Sequence, residues 1–289
     1  SLFLLTTLLL LAFGQITQVN AQDSSSRWFV DNPRPLIINW DTNYIRSFQE
    51  DLTTRLYTSV KYTAFRIANK EEMQNLFYLT NRNIILGVGA TYSWFTLNIG
   101  LSFPFINHDD VLYGNTSYLD LQTHIYLRKY NADLYLQLYK GYYLANSGNV
   151  IRDWPQYDTF LLRPDIRTIN MGFNFQHFFN YRKYSFKAAF NQTEWQKKTA
   201  GSWVLGINFF YSINGSDSAS LIPGNLQNPY LFNGIQFNRQ DVLNIGINGG
   251  YYFTLVVARH FFFSVGLAVG PGIGFSWLDI RDKSIISRS

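Results

Sequence analysis

Cysteine is absent from the 289 residues, which argues against a disulfide-stapled secreted domain and is compatible with export through a bacterial periplasm. Long apolar runs are scarce as well. Beyond the first segment the longest candidate, Phe261 to Phe275, is interrupted by Ser264, four glycines and Pro271. No run after that segment reaches the roughly 18 apolar residues a membrane helix needs, which disfavours a helical inner-membrane protein. Lys and Arg form no block of the kind that grips nucleic acid, and the net charge of +5 is spread thinly over loops, so that partner is set aside. A Gly-x-Ser-x-Gly elbow is missing too. His108, Asp109 and Asp110 adjoin in one loop, but three consecutive residues do not cage a cation; neither metal nor cofactor is expected. What the chain has in excess is aromatic side chains, 18% of the sequence, including 20 Tyr and 25 Phe. Girdles at two membrane interfaces would use them.

The most informative stretch runs from Arg82 to Phe103. Ile84, Leu86, Val88, Ala90 and Tyr92 share one face there, with Asn83, Gly87, Gly89 and Thr91 on the other and Ile85 as the exception. After Ser93 and Trp94, Phe95, Leu97, Ile99, Leu101 and Phe103 stand opposite Thr96, Asn98, Gly100 and Ser102. One apolar face and one small, polar face over about ten residues suit a transmembrane β-hairpin, with lipid outside and a lumen inside. The competing reading is a soluble exported β-sandwich that binds an apolar ligand, its apolar faces meeting in a core.

The pattern recurs. Strand-like alternation with mixed faces spans Leu56 to Ile67. Leu119, Leu121, Thr123, Ile125 and Leu127 oppose Tyr118, Asp120, Gln122, His124 and Tyr126; after a turn at 128 to 131, Ala132, Leu134, Leu136 and Leu138 oppose Asp133, Tyr135, Gln137 and Tyr139. A further pair places Ile169, Met171, Phe173 and Phe175 outward and returns through Tyr184, Phe186, Ala188 and Phe190. Trp203 to Tyr211, Leu243 to Leu255 and Phe261 to Val269 complete about ten readable strands. Short turns at 93 to 94, 128 to 131, 180 to 183 and 258 to 260 alternate with longer connections, the asymmetry of periplasmic turns and external loops. Ten strands so counted do not keep 258 to 260 periplasmic if 193 to 200 is external. Either a strand is hidden in 213 to 240 or one long connection faces the periplasm.

The expected organisation is a signal peptide at 1 to 21, a periplasmic lead-in at 22 to 54 and an outer-membrane β-barrel at 55 to 289. The apolar run Leu2 to Phe13 and the Val19-Asn20-Ala21 ending support the first. The fold class read from these patterns is all-β, an antiparallel transmembrane barrel. The polar ending Arg281 to Ser289 carries no strand pattern and suggests a C-terminal truncation that removes closing strands, with twelve strands in the full-length protein.

Several segments carry a family resemblance: GVGATYSWFTLNIGLSFPF at 87 to 105, DLYLQLYKGYYL at 133 to 144, RPDIRTINMGFNF at 163 to 175, FNYRKYSFKAAFNQTEWQKKTAGSWVLG at 179 to 206 and SLIPGN at 220 to 225. The sequence resembles the uncharacterised bacterial outer-membrane proteins grouped as domain of unknown function 4421. That resemblance implies a membrane β-barrel with further strands after Ser289, and no reaction.

Polar residues at lumen-facing positions form the candidate site: Asp120, Gln122, His124, Asp133, Tyr135, Gln137 and Tyr139, with Lys187 and Asn191. A turn at 128 to 131 would bring His124 near Tyr135 and Asp120 near Tyr139. One reading is a catalytic centre built on His124, Asp120 and Asp133 in an enzyme that modifies lipids; the other is a hydrogen-bonded lumen plug without chemistry. Lys140 has lipid-facing parity, so it is expected at the external rim or beyond a bulge. The run Glu194 to Lys198 could meet acidic lipopolysaccharide headgroups, or be a solvated loop. The favoured function is a narrow pore or envelope scaffold without catalysis, with outer-membrane lipid and lipopolysaccharide as partners.

Overall fold

Alternation of exposed and buried side chains follows the strands of one antiparallel meander. The computed structural model describes residues 40–48, 52–61, 63–68, 75–81, 83–102, 109–155, 159–191, 193–217, 220–228, 235–257, 261–280 and 283–288. The signal-peptide segment, most of the lead-in, the 258 to 260 turn and His108 lie outside the described residues. The strands are β1 (Ile45–Ser47), β2 (Thr53–Lys61), β3 (Ala64–Ala68), β4 (Asn75–Leu79), β5 (Asn83–Tyr92), β6 (Phe95–Ser102), β7 (Ser117–Tyr126), β8 (Tyr130–Leu144), β9 (Leu161–Phe178), β10 (Glu194–Gln196), β11 (Ala200–Ser216), β12 (Phe237–Val257), β13 (Phe261–Val269), β14 (Gly272–Ile280) and β15 (Lys283–Arg288). Three short helices are α1 (Asp110–Tyr113), α2 (Ser147–Val150) and α3 (Phe186–Phe190). None of them is long and apolar enough to cross a membrane.

The main sheet runs β2-β5-β6-β7-β8-β9-β11-β12-β14-β15. Strand β12 is 21 residues long and carries both β13 and β14 on one edge: Gly249–Val257 pairs with β13, and Phe237–Gly246 with β14. Those two strands therefore share one position, interrupted at Gly270 and Pro271. Proline has no N–H to give the ladder, while its carbonyl accepts from Ile247 N at 3.1 Å. Among the described residues β2 and β15, the outermost strands, do not pair with each other. All of these strands belong to one sheet, not to two packed face to face; β1 and β10 form a separate two-stranded ribbon.

One expected strand is a helix. Tyr184, Phe186, Ala188 and Phe190 alternate in the sequence, yet Ser185 caps α3 by accepting from Ala188 N at 3.1 Å, and Phe186 stacks on Phe190 at 4.0 Å. Two phenylalanines four apart fit one helix face as well as one strand face. Removing this strand lets β9 pair directly with β11 and resolves the parity conflict. The strand ends at Tyr92 and Phe95, Tyr126 and Tyr130, Phe178 and Ala200, and Val257 and Phe261 share one end of the sheet, the short-turn end; those at Ser102 and Ser117, Leu144 and Leu161, and Ser216 and Phe237 share the other, the long-connection end.

Neither end is hollow. At the long-connection end the β3–β4 hairpin leans onto β8, with Tyr78 opposite Leu144, and buries Ile67, Leu76, Tyr78, Tyr142, Leu144, Ile166 and Leu221 together. At the short-turn end Phe178, Tyr184 and Val204 pack with Phe186 and Tyr252. Residues 40–48 close that end through the β1–β10 ribbon, Ile45 lying opposite Gln196.

Lys140 is exposed just before an irregularity in the β8–β9 ladder. Gly141 makes that irregularity possible: its φ is +97°, and a Cβ there would lie 2.1 Å from the Asn115 carbonyl oxygen. Gly141→Ala combines a strained backbone with a main-chain clash. It is expected to cost about 2 kcal/mol or more, read as a lower urea midpoint of the purified chain.

Candidate functional site

The outward residues of β5, β6, β11, β12 and β13 are large, apolar and exposed, among them Leu86, Val88, Leu97, Leu205, Ile207, Ile247, Val265 and Leu267. The opposite, more buried face carries the polar groups. Glycine is frequent there because tyrosine rings lie across the neighbouring strands: a Cβ at Gly172 would fall 1.7 Å from the Tyr135 ring, and one at Gly87 would fall 2.1 Å from that of Tyr57. The small residues thus make room for flat aromatic rings rather than leaving a wide opening.

Around those rings the polar side chains bond to one another. Leu127 N donates to Tyr130 O, leaving only Arg128 and Lys129 as loop, and this tighter turn shifts the β7–β8 pairing by two residues from the expected one. His124 consequently lies opposite Asp133, Asp120 opposite Gln137, and Gln122 opposite Tyr135. His124 Nδ1 and Asp133 Oδ1 are 2.7 Å apart, and Asn174 Nδ2 donates to Asp133 Oδ2 at 3.2 Å. The fully buried Asp120 accepts from the side-chain amides of Gln122 and Gln137, each at 3.1 Å. Tyr139 stacks on Tyr118. Arg55 donates to Asn98 Oδ1 at 2.8 Å. Asn98 and Asn174 have the polar-face parity but are outside the expected site, and Arg55 precedes the alternation read from Leu56 to Ile67, so no signal in the pattern marks it.

The His124–Asp133 pair could orient a proton acceptor. Among the described residues, however, no hydroxyl hydrogen-bonds to His124. Thr96, its partner across the β6–β7 ladder, exchanges a 2.9 Å hydrogen bond with Thr91 instead. His124→Ala is expected to lower stability by about 1 to 3 kcal/mol by leaving Asp133 short of a donor, measured by thermal unfolding with Asn174→Ala as a companion. Asp109 and Asp110 each accept from the Asn81 side-chain amide, at 2.9 and 3.1 Å.

Lys187 and Asn191 are not strand residues as expected: Lys187 is in α3, and Asn191 is its C-cap. Lys187 is buried at the short-turn end beside an ion pair between Arg128 Nη2 and Glu194 Oε1, 2.5 Å apart. Ser185 Oγ donates to the other oxygen of Glu194 at 2.5 Å, and the Arg128 guanidinium also lies over the Trp40 ring. A cavity of about 10 Å³, the size of one water, lies among Arg128, Ser185, Lys187 and Glu194. Burial, with Arg128 adding to it against the opposing pull of Glu194, lowers the Lys187 ammonium to about 8. The unfolded chain therefore binds this proton more tightly. The penalty is fully present below pH 8 and is relieved as pH rises towards the unfolded value near 10.5. Lys187→Met is expected to raise the melting temperature at pH 7 and to lose that advantage by about pH 10.5, measured by scanning both proteins across that range.

The family described as a domain of unknown function (DUF4421) matches residues 39–287. The chain belongs to the DUF4421 family. No curated protein and no solved structure matches it. Two of the segments that carry the DUF4421 resemblance meet in space: Arg163 Nη2 donates to Ser220 O at 2.7 Å and to Asp165 Oδ2 at 2.9 Å, and Tyr78 OH donates to Leu221 O at 2.6 Å. These DUF4421 residues latch the connection after β11 over the apolar cluster.

Proposed function

We propose that this chain is an integral outer-membrane β-barrel acting as an envelope scaffold with an occluded lumen, surrounded by outer-membrane lipid and exported by the general secretory route. The observation that carries the proposal is the outward face. Exposed Leu, Ile, Val, Phe and Trp continue from β5 and β6 through β11 to β13, an apolar area far beyond the few hundred Å² that soluble monomers tolerate. Tyr92, Trp94, Phe179, Trp203 and Phe261 stand exposed at its short-turn border, where an aromatic girdle would meet the headgroups. Tyrosine rings and hydrogen-bonded side chains occupy the inner face, which supports a scaffold over a wide diffusion pore. In lipid the outer edges of β2 and β15 have to meet each other or further strands.

Extraction tests the membrane placement: the folded protein should stay with membranes through salt and carbonate and leave only with detergent. Release by carbonate alone would sink it. In a planar bilayer the protein should show no large conductance steps; steady nanosiemens openings would replace the scaffold with a pore. Among the described residues the 2.7 Å His124–Asp133 pair favours a lipid-modifying enzyme. That second reading requires lipid A or phospholipid species to change between the parent and His124→Ala cells.

A further inference from the structure

Charge is unevenly distributed along the sheet. At the short-turn end Arg46, Lys129, Arg182, Lys183, Lys197 and Lys198 reach the surface with Asp41 among them, six positive groups to one negative among the described surface residues. At the other end the exposed cations Arg66, Lys140, Arg152, Arg167 and Arg239 are interspersed with Asp109, Asp110, Asp153, Asp217 and Asp241; Lys140 and Arg167 share Asp217, and Arg239 pairs with Asp241. None of the six lies in an ion pair among the described residues. Most pack over aromatic rings instead: Lys183 and Lys198 over Tyr44 at 5.2 and 5.3 Å, Lys129 over Tyr130 and Tyr181, Arg182 over Tyr181, and Arg46 over Phe48.

This patch is also continuous with the apolar outer face. Tyr130, under the Lys129 ammonium, stacks on Phe175 at 5.5 Å, and Phe175 belongs to the outward row of β9. Basic groups held on aromatic rings beside an apolar wall combine the two attractions of a headgroup layer: stems and rings enter the interface, and the charges stay with phosphates. A soluble polyanion would need the charge alone.

We propose that the short-turn end is a binding surface for anionic phospholipid headgroups, formed by the cations of the β1–β10 ribbon and of the connection 179–199 together with Lys129. This inference rests on the membrane reading above. The test uses the full chain, folded in a non-ionic detergent and titrated with short-chain phosphatidylglycerol or phosphatidylcholine while bound lipid is counted by native mass spectrometry. Phosphatidylglycerol should bind roughly tenfold more tightly or better, and the preference should fade with added salt. It should also be lost in the combined variant Lys129→Gln, Arg182→Gln, Lys183→Gln, Lys198→Gln. A matched variant, Lys140→Gln, Arg152→Gln, Arg167→Gln, Arg239→Gln, should keep it. Equal binding of the two lipids would overturn the proposal, as would loss in both variants. Dextran sulfate displacing phosphatidylglycerol completely would assign the patch to a soluble polyanion instead. A chain that folds and stays dispersed without detergent would sink the membrane reading itself, a result separate from any lipid preference.

Discussion

Glu194→Ala is expected to destabilise the protein by about 3 to 5 kcal/mol, because it leaves a buried guanidinium without its counter-ion. The Arg128 and Glu194 side chains are only 7% and 1% exposed, so water cannot take over the lost carboxylate. Burial already lowers the Arg128 guanidinium, with Glu194 as the opposing influence. Ser185 would lose its acceptor at the same time, weakening the cap of α3. Glu194→Gln keeps the shape and an acceptor oxygen and should cost less. The double variant Arg128→Met, Glu194→Leu should recover most of the loss, since removing the two opposite charges together leaves only the Lys187 ammonium that the parent already buries. Urea unfolding reads the size. Limited proteolysis reads the place, because the ribbon that holds residues 40–48 passes through Glu194 and cleavage there should precede global unfolding. Equal stability of Glu194→Ala and the parent would contradict the buried pair.

The all-β, antiparallel architecture was legible because a period of two, sustained over β5 to β9 and β11 to β13, leaves little freedom: slipping one residue would turn every apolar side chain to the wrong face. What periodicity could not decide was local. Phe186, Ala188 and Phe190 satisfy a strand period, but Ser185 and the four-residue spacing of the phenylalanines satisfy a helix too, and the capping bond with burial of Lys187 settles the choice. The β7–β8 register depended on loop length. Both candidate turns keep the same faces, so the apolar pattern was blind to a shift of two residues. It decides whether His124 meets Tyr135 or Asp133, and only the tight turn at Arg128 and Lys129 selects the second. The inner-face residues Asp120, Gln122, Asp133 and Gln137 could be placed on a face from parity alone, whereas Arg55 and Asn98 meet from positions 43 residues apart in sequence. The Arg128–Glu194 pair joins a turn to a ribbon that no periodicity announces. The run Glu194 to Lys198 is not a plain loop, since Glu194–Gln196 forms β10 and pairs with β1 at the short-turn end.

Ile207→Arg should produce the clearest difference between a lipid-facing and a water-facing wall. Ile207 lies in the middle of β11, opposite Phe175 on one side and Ile247 on the other, and it is 51% exposed. Near the midplane of a bilayer an arginine costs about 2 to 4 kcal/mol. On a soluble surface the same change would fall within roughly 0.5 kcal/mol of neutral. Ser212→Arg faces inward, beside Asn170, and would disturb packing in either setting, so it cannot separate the two; Trp203→Arg can. Trp203 is exposed at the short-turn border of the same strand, where the penalty in lipid falls to about 0 to 1 kcal/mol. The expected result is therefore a gradient along one strand, large at Ile207 and small at Trp203, measured by urea unfolding from phospholipid vesicles. A flat response, with both variants near neutral, would mean that the outward face of this sheet does not sit in lipid.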